Sequence, residues 1–228
     1  MRGAARGFTL TELVVVVTAI AGLLAVGVAA FASARRRGNE MNAVSNLRII
    51  ALAQAQFQAD ATCDVDGDGR GEYGLLRELA SGVPVRTEPD GANALGALRT
   101  PPLLAPRFRK LRGGVLLYAQ DAGYCFDLYL PAAGGVGAQE RLPPFAPPLD
   151  TDLCESAWCC YALPAEPDVT GGRIFFQNQD GALTWREAGP RSVSPGAAFA
   201  VGGPDDGITG RAAVGALGRD GALWQRVD

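Results

Sequence analysis

The pattern of hydrophobic positions changes at Ala34. An apolar run extends from Leu13 to Ala34, and Glu12 is the one ionisable side chain between Phe8 and Ala34. A helix rises about 1.5 Å per residue, so this run can cross the roughly 30 Å hydrocarbon core of a bilayer. An unpaired carboxylate in such a segment costs on the order of several kcal/mol. Glu12 is therefore a candidate functional residue that needs a partner.

Beyond Ala34, apolar side chains recur at helical spacing. They form one stripe, made of Val44, Leu47, Ile50, Ala51 and Phe57. The polar side chains of the same stretch lie largely off that stripe: Asn42, Asn46, Arg48, Gln54 and Gln58. The two patterns together predict one helix from Phe8 to about Asp60. Its residues 8–34 are expected in a membrane or filament core, and its amphipathic residues 35–60 against a sheet.

The rest of the chain, residues 61–228, predicts one β-rich domain with irregular loops, because it is rich in glycine and proline and has short alternating segments. Residues 114–120 and 124–130 predict one hairpin, and 173–178 with 182–185 predict a second around an Asp-Gly turn. Residues 212–217 and 222–227 predict a third hairpin that extends the sheet or covers its edge. The predicted fold class is α+β, with the long helix packed on a four-stranded antiparallel sheet. A short helical turn is expected at residues 74–79.

The residues before the apolar run carry a resemblance. Met1–Gly7 is short, contains Arg2 and Arg6 and no acid, ends in glycine and is followed by Phe-Thr-Leu-Thr-Glu. This order resembles the N-terminus of type IV prepilins and type II secretion pseudopilins. The resemblance covers the leader and the apolar helix, and implies a pilin-like fold for the whole chain.

The resemblance implies a role for each matched residue. A prepilin peptidase would cleave between Gly7 and Phe8, removing the leader 1–7, and methylate the new amine of Phe8. Glu12 would then pair with the Phe8 ammonium of a neighbouring subunit, which relieves two buried charges at once. The implied protein is a non-enzymatic subunit, a pseudopilin or minor pilin, that is assembled by a pilus or secretion platform with copies of itself and other pilin-like subunits. It would sit in the inner membrane as a single-pass protein, with its head in the periplasm, before joining an envelope or surface filament.

A secretory signal and a plain membrane anchor fit the N-terminus less well. Ala32-Ser33-Ala34 has the form of a signal-peptidase site, but the apolar run is longer than a secretory signal and has an acid near its start. A plain membrane anchor would need neither Glu12 nor the glycine before Phe8. The triplet Arg35–Arg37 opposes the implied orientation, because positive charges favour the cytoplasmic side.

An acidic loop follows the helix. Residues 64–73 place acids at alternate positions with glycine after the second and third, as in the first half of an EF-hand loop, but Leu75 occupies the twelfth position where a bidentate Glu belongs. Calcium is favoured over a solvated Asp-Gly turn, in a structural role. Pseudopilins of the type II secretion system use calcium in their outer domains, which the resemblance extends to this chain. The candidate ligands are Asp64, Asp66, Asp68, the backbone carbonyl of Arg70, and Glu72.

Histidine is absent from the 228 residues, which removes Ser-His, Cys-His and His-metal chemistry. A pair of carboxylates could still catalyse glycoside cleavage without histidine. An exported enzyme, with the helix as its signal, is therefore a further hypothesis. The basic stretch 107–112 is interpreted as a strand or edge with a solvated face rather than a nucleic-acid site, because the net charge of the chain is -3.

The five cysteines predict disulfides, because an exported domain meets an oxidising compartment. The candidates are Cys63, Cys125, Cys154, Cys159 and Cys160. Cys154 could pair with Cys159 or Cys160, and Cys63 with Cys125 or the remaining cysteine. Zinc is disfavoured, since the spacing lacks two C-x-x-C units. The main alternative to a filament subunit is a membrane-tethered, calcium-stabilised binding domain that does not polymerise.

Overall fold

A computed structural model describes residues 7–93, 96–189, 193–203 and 206–227. Its main helix, α1, spans Leu10–Ala59 and has 50 residues. Thr9 is the N-cap and Asp60 the C-cap. The single long helix predicted from Phe8 to about Asp60 is confirmed, but it begins two residues later, at Leu10. Two short helices follow, α2 at Leu76–Leu79 and α3 at Thr151–Cys154.

Nine strands form one antiparallel sheet across the described residues. Their bounds are β1 Arg112–Gly113, β2 Leu117–Asp121, β3 Tyr124–Pro131, β4 Gly137–Gln139, β5 Cys159–Pro164, β6 Arg173–Asn178, β7 Leu183–Glu187, β8 Ala216–Leu217 and β9 Leu223–Arg226. The order across the sheet is β1-β2-β3-β5-β6-β7-β9-β8, and β4 pairs with β3 beside β2. The α+β class and the antiparallel sheet are confirmed.

Two of the predicted hairpins are the centre of this sheet, as β2 with β3 and β6 with β7. The prediction of a four-stranded sheet is wrong, because β5 lies between the two hairpins and pairs with both. All six residues of β5 are buried. A strand covered on both faces has no alternation of polar and apolar residues, so its sequence carried no periodic strand signal. The third predicted hairpin, β8 with β9, extends the sheet next to β7.

The sheet separates two hydrophobic layers. On one face, the second half of α1 buries Leu47, Ile50 and Phe57 against sheet residues that include Phe126 and Phe175. On the other face, a layer from the C-terminal part of the chain covers the sheet, with Phe199 and Ile208 packed among strand side chains. Four aromatic rings of this second layer lie in mutual edge or tilted contact, and they belong to Tyr161, Phe176, Phe199 and Trp224. The head therefore has one hydrophobic core on each face of the sheet.

The prediction of disulfides is wrong for this structure, because all five cysteines are buried and none of them is joined in a disulfide. Cys159 and Cys160 are successive residues of β5 and point to opposite faces, so they belong to different hydrophobic layers. The thiol of Cys63 donates to the carbonyl of Arg86, and that of Cys154 to the carbonyl of Pro131. Burial raises the pKa of the Cys154 thiol to about 12, which keeps it protonated.

Candidate functional site

The first half of α1 stands outside the head. Every side chain described between Leu10 and Ala32 is exposed. Leu10 is 80% exposed and Phe31 is 72% exposed. No part of its most apolar stretch is buried in the head. By length and composition, α1 is the one helix among the described residues that can cross a membrane. Its apolar half, residues 10–34, is a candidate membrane anchor.

The start of α1 places Glu12 in a local hydrogen-bond arrangement. Oε2 of Glu12 accepts from the backbone N–H of Thr9 at 2.9 Å and from the Thr9 hydroxyl at 2.7 Å. The Glu12 N–H in turn donates to Oγ1 of Thr9 at 3.3 Å. This is a capping box, which satisfies free donors of the first helical turn. The Thr-x-x-Glu spacing is the sequence signal for such a box, and it was missed because Glu12 was interpreted only as an assembly residue.

Glu12 keeps a free acceptor. Its Oε2 accepts two hydrogen bonds from Thr9, and its Oε1 accepts no hydrogen bond from any other described residue. No cation among the described residues forms an ion pair with Glu12. Gly7 and Phe8 precede the helix and are exposed, and no heavy atom of the described residues lies within 4 Å of the position that a Cβ of Gly7 would take. The leader residues 1–6 lie outside the described residues.

The acidic loop is a second candidate site. Carboxylate oxygens of Asp64, Asp66 and Asp68 lie within 4.8 Å of one another, and those of Asp66, Asp152 and Glu155 form an overlapping group. The two oxygens of Asp64 accept from the N–H groups of Gly67 and Gly69, at 2.8 Å and 3.1 Å. Backbone donors therefore curl the loop so that three Asp side chains converge. Asp152 and Glu155, which were not predicted, come from α3 and its C-cap.

The remaining predicted ligands have other partners. The Arg70 guanidinium pairs with Oε2 of Glu155 at 3.0 Å. Glu72 is buried, and its Oε2 lies 2.8 Å from Nη2 of Arg86. Its other oxygen accepts from the N–H of Val65 at 2.9 Å. The structure thus brings Asp64, Asp66 and Asp68 together, and does not place the Glu72 carboxylate with them.

Glu72 belongs to a buried ionic network beneath the loop. Arg86 pairs with Glu72 and also with Glu78, whose Oε2 lies 2.6 Å from Nη1. All three side chains are 2% exposed or less. Nearby, Glu140 is buried and accepts from the backbone N–H of Leu76 at 2.8 Å and from Nε of Arg77 at 3.1 Å. Burial raises the pKa of Glu140 to about 7, although the Arg77 charge opposes the shift.

The predicted basic stretch is only partly a strand. Pro106–Phe108 forms a 3₁₀ turn with Phe108 buried, and the strand β1 begins at Arg112. Lys110 and Arg112 are exposed, as the solvated interpretation expects.

Comparison of the chain with protein-family models, with curated proteins and with solved structures found no match. The case for function therefore depends on the residues of this chain.

Proposed function

We propose that this chain is a pilin-like structural subunit, of the pseudopilin or minor-pilin kind, that assembles through the apolar half of α1. One observation carries the proposal. A helix of 50 residues is half embedded in a folded head and half fully exposed, and its exposed half is apolar. Such a surface is unstable in water and needs lipid or other helices around it. An acid at its start requires a cation inside that environment.

The N-terminal geometry gives the assembly step its chemistry. Cleavage between Gly7 and Phe8 by a prepilin peptidase would create an ammonium group at Phe8, four positions before Glu12. The capping box leaves Oε1 of Glu12 free to accept from the methylated ammonium of a neighbouring subunit. Pairing brings opposite charges together where the dielectric constant is low, and leaves neither charge buried alone. In this scheme the helices pack through apolar contacts, and Glu12 favours the entry of subunits that present a free Phe8 ammonium group.

The proposed setting is the inner membrane and then a filament. The apolar half of α1 spans the membrane with the head in the periplasm, and a pilus or secretion platform extracts the subunit to join copies of itself and other pilin-like subunits. No catalytic role is assigned to any residue.

Calcium is proposed as a structural ion at the acidic loop. The donors fit in part, because Asp64, Asp66, Asp68 and Asp152 supply hard oxygen ligands of the kind Ca²⁺ prefers. The backbone carbonyl of Arg70 remains a candidate ligand. The Glu72 carboxylate is left out of this set, since it neutralises Arg86.

The proposed function is tested with two substitutions at one position, in a host strain whose own gene for this chain is deleted. Glu12→Ala removes both the charge and the capping acceptor, whereas Glu12→Gln keeps an acceptor for Thr9 and removes only the charge. We expect both variants to be cleaved at Gly7 and to keep a folded head, and neither to enter filaments. Normal incorporation of both variants would contradict the proposal, and would favour the tethered calcium-stabilised binding domain that does not polymerise.

A further inference from the structure

A groove of about 810 Å³ lies between the second half of α1 and the sheet. It begins where the apolar half of α1 ends, next to Arg37, and continues up the helix to Arg48. Its floor is apolar and includes Val44 and Phe175. Its polar lining consists mainly of guanidinium groups, from Arg37, Arg48, Arg173 and Arg226.

The positive charge of this groove is poorly neutralised by its own surroundings. Glu40 is the one acid among its lining residues. One of its oxygens accepts from the N–H of Gly172 at 2.9 Å, and the other lies 3.9 Å from Nη1 of Arg173. The Arg173 guanidinium also stacks on Trp185, 4.1 Å from the ring centroid. Arg48 and Arg226 are exposed and form no ion pair among the described residues.

The opposite charge lies at the other end of the head. The acidic loop presents Asp66 and Asp68 to solvent beside Asp152. Arg70, a cation of the same loop, pairs with Glu155. Backbone N–H groups satisfy hydrogen bonds of the loop carboxylates without cancelling their charge. Among the described residues, the chain therefore carries an arginine groove and an acidic loop whose charges are only partly neutralised by neighbouring side chains.

These two surfaces are separated along α1. At about 1.5 Å per residue, the end of the helix at Ala59, where the acidic loop begins, lies about 17 Å beyond Arg48 and about 33 Å beyond Arg37. The groove and the loop of one copy are therefore too far apart to meet. A second copy displaced along the helix axis by roughly 25 Å would bring its groove level with the loop of the first.

We propose that the arginine groove of one copy receives the acidic loop of a neighbouring copy, and that this contact sets the axial register between subunits. The inference rests on the proposed function, because it needs copies held side by side. Apolar contact between helices is non-directional and specifies register weakly. Charge complementarity supplies the missing specificity. In a pair of copies, one copy still has an unoccupied groove and the other an unoccupied loop. The contact is therefore head-to-tail, and further copies can add to both ends to form an open filament.

The test uses full-length chains in one membrane, with EGTA present so that the loop holds no calcium. Ser45, in the groove, and Ser156, next to Glu155, are exposed and are both changed to cysteine, as Ser45→Cys and Ser156→Cys. Native cysteines are all buried, so cross-links form between the introduced cysteines. In the matched control Ser156→Cys is replaced by Ser194→Cys, which is also exposed but belongs to the covering layer on the far face of the sheet. We expect cross-linking in the first pair only.

Charge reversal then makes the test specific. A groove variant carries Arg48→Glu and Arg226→Glu, and a loop variant carries Asp66→Arg and Asp68→Arg. Each variant alone places like charges opposite each other across the contact, acid against acid or arginine against arginine. We therefore expect cross-linking to fall at least about fivefold, the loss that several surface ion pairs together can produce. Mixing the two variants matches opposite charges again and should restore cross-linking.

The outcomes separate this inference from the proposed function. Filaments that fail with Glu12→Gln but tolerate both charge reversals, with no loss of cross-linking, would overturn the inference and leave the proposed function standing. If the groove variant instead loses a co-purifying anionic phospholipid while the mixture shows no rescue, the groove binds lipid and the inference is wrong. Rescue only on mixing supports a second copy as the occupant.

Discussion

The two halves of α1 carry similar apolar side chains and meet opposite surroundings. Phe31 in the first half is 72% exposed, whereas Phe57 in the second half is fully buried under the sheet. The first half is apolar around its whole circumference, and the second keeps polar residues on its outer face. A helix that is apolar all round needs an apolar solvent, and an amphipathic helix needs a protein core on one side. The helix is thus a candidate membrane anchor at one end and a structural element of the head at the other.

The acids of the chain repeat this contrast. Glu72 and Glu78 are buried in the head and share the counter-charge of Arg86. Glu12 has only the hydrogen bonds of a capping box among the described residues. The buried acids Glu72 and Glu78 therefore have a counter-charge within the head, whereas Glu12 has none among the described residues. The unmet requirement is what a second subunit would satisfy.

The largest effect on the free energy of unfolding is expected at the buried ion pairs of Arg86 in the head. Arg86→Met would leave Glu72 and Glu78 as uncompensated buried charges, which costs about 3–5 kcal/mol. Glu12→Ala, at the exposed end of the same chain, should change the free energy of unfolding of the head by less than about 0.5 kcal/mol. Urea denaturation of the full chain in detergent micelles measures both. Equal stability of the two variants would contradict the contrast between the two regions.

A matched pair of phenylalanines compares the two halves of α1 directly. Phe57→Ala removes a fully buried ring and should lower the free energy of unfolding by about 3–5 kcal/mol. Phe31→Ala removes a ring of the same size from the exposed half, and should leave head stability unchanged within about 0.5 kcal/mol. The measurement is the midpoint of chemical unfolding, followed by the fluorescence of the tryptophans of the head. A loss of stability with Phe31→Ala would show that the apolar half packs on the head.

The buried carboxyl group of Glu140 predicts a pH dependence of the head. Burial raises the pKa of this group from 4.5 to about 7, so the folded state binds its proton more tightly than the unfolded state. The free energy of unfolding should therefore fall as the pH rises from about 4.5 to about 7, by on the order of 1–3 kcal/mol. Thermal unfolding of the parent and of Glu140→Gln across this range isolates the effect. A parent whose pH profile matches that of Glu140→Gln would contradict the prediction.

The smallest expected effect concerns the acidic loop. Calcium that binds the folded loop should stabilise the head by about 1–3 kcal/mol at concentrations well above the dissociation constant. Asp66→Asn, which changes a carboxylate shared by both acidic groups, should remove most of that gain. Glu166→Gln, at an exposed acid far from the loop in sequence, is the control. Calcium-dependent stability that persists in Asp66→Asn would place the ion elsewhere.

The sequence predicts the helix and the hairpins better than it predicts the core. The bounds of α1 follow from an apolar run joined to a stripe of 3.6-residue period, and the two central hairpins from turns with Asp and Gly. Two side chains expected off the stripe are buried instead. Asn46 donates to Oδ2 of Asp121 at 2.8 Å, and Gln54 exchanges two hydrogen bonds with the backbone of Gly74. Their partners come from distant segments, which periodicity cannot reveal.

Long-range contacts also decide the composition of the candidate site. Asp152 and Glu155 join the acidic loop because α3 packs beside it, and Glu72 leaves it because Arg86 needs a buried counter-charge. Neither fact is encoded in the spacing of residues 64–73. The alternation of acids there identified the converging Asp side chains, since local loop geometry depends on neighbouring residues. Which acids from distant segments join the candidate site depends on the tertiary fold.

The proposed function requires that the exposed half of α1 is the processed, assembling end of a filament subunit. Mass analysis of the N-terminal peptide of the native protein, taken from its own cells, tests this requirement without any substitution. We expect a peptide that begins at Phe8 and carries one additional methyl group. A native chain that retains residues 1–7, or one that begins at Arg35 after a signal-peptidase cut, would contradict the proposed function.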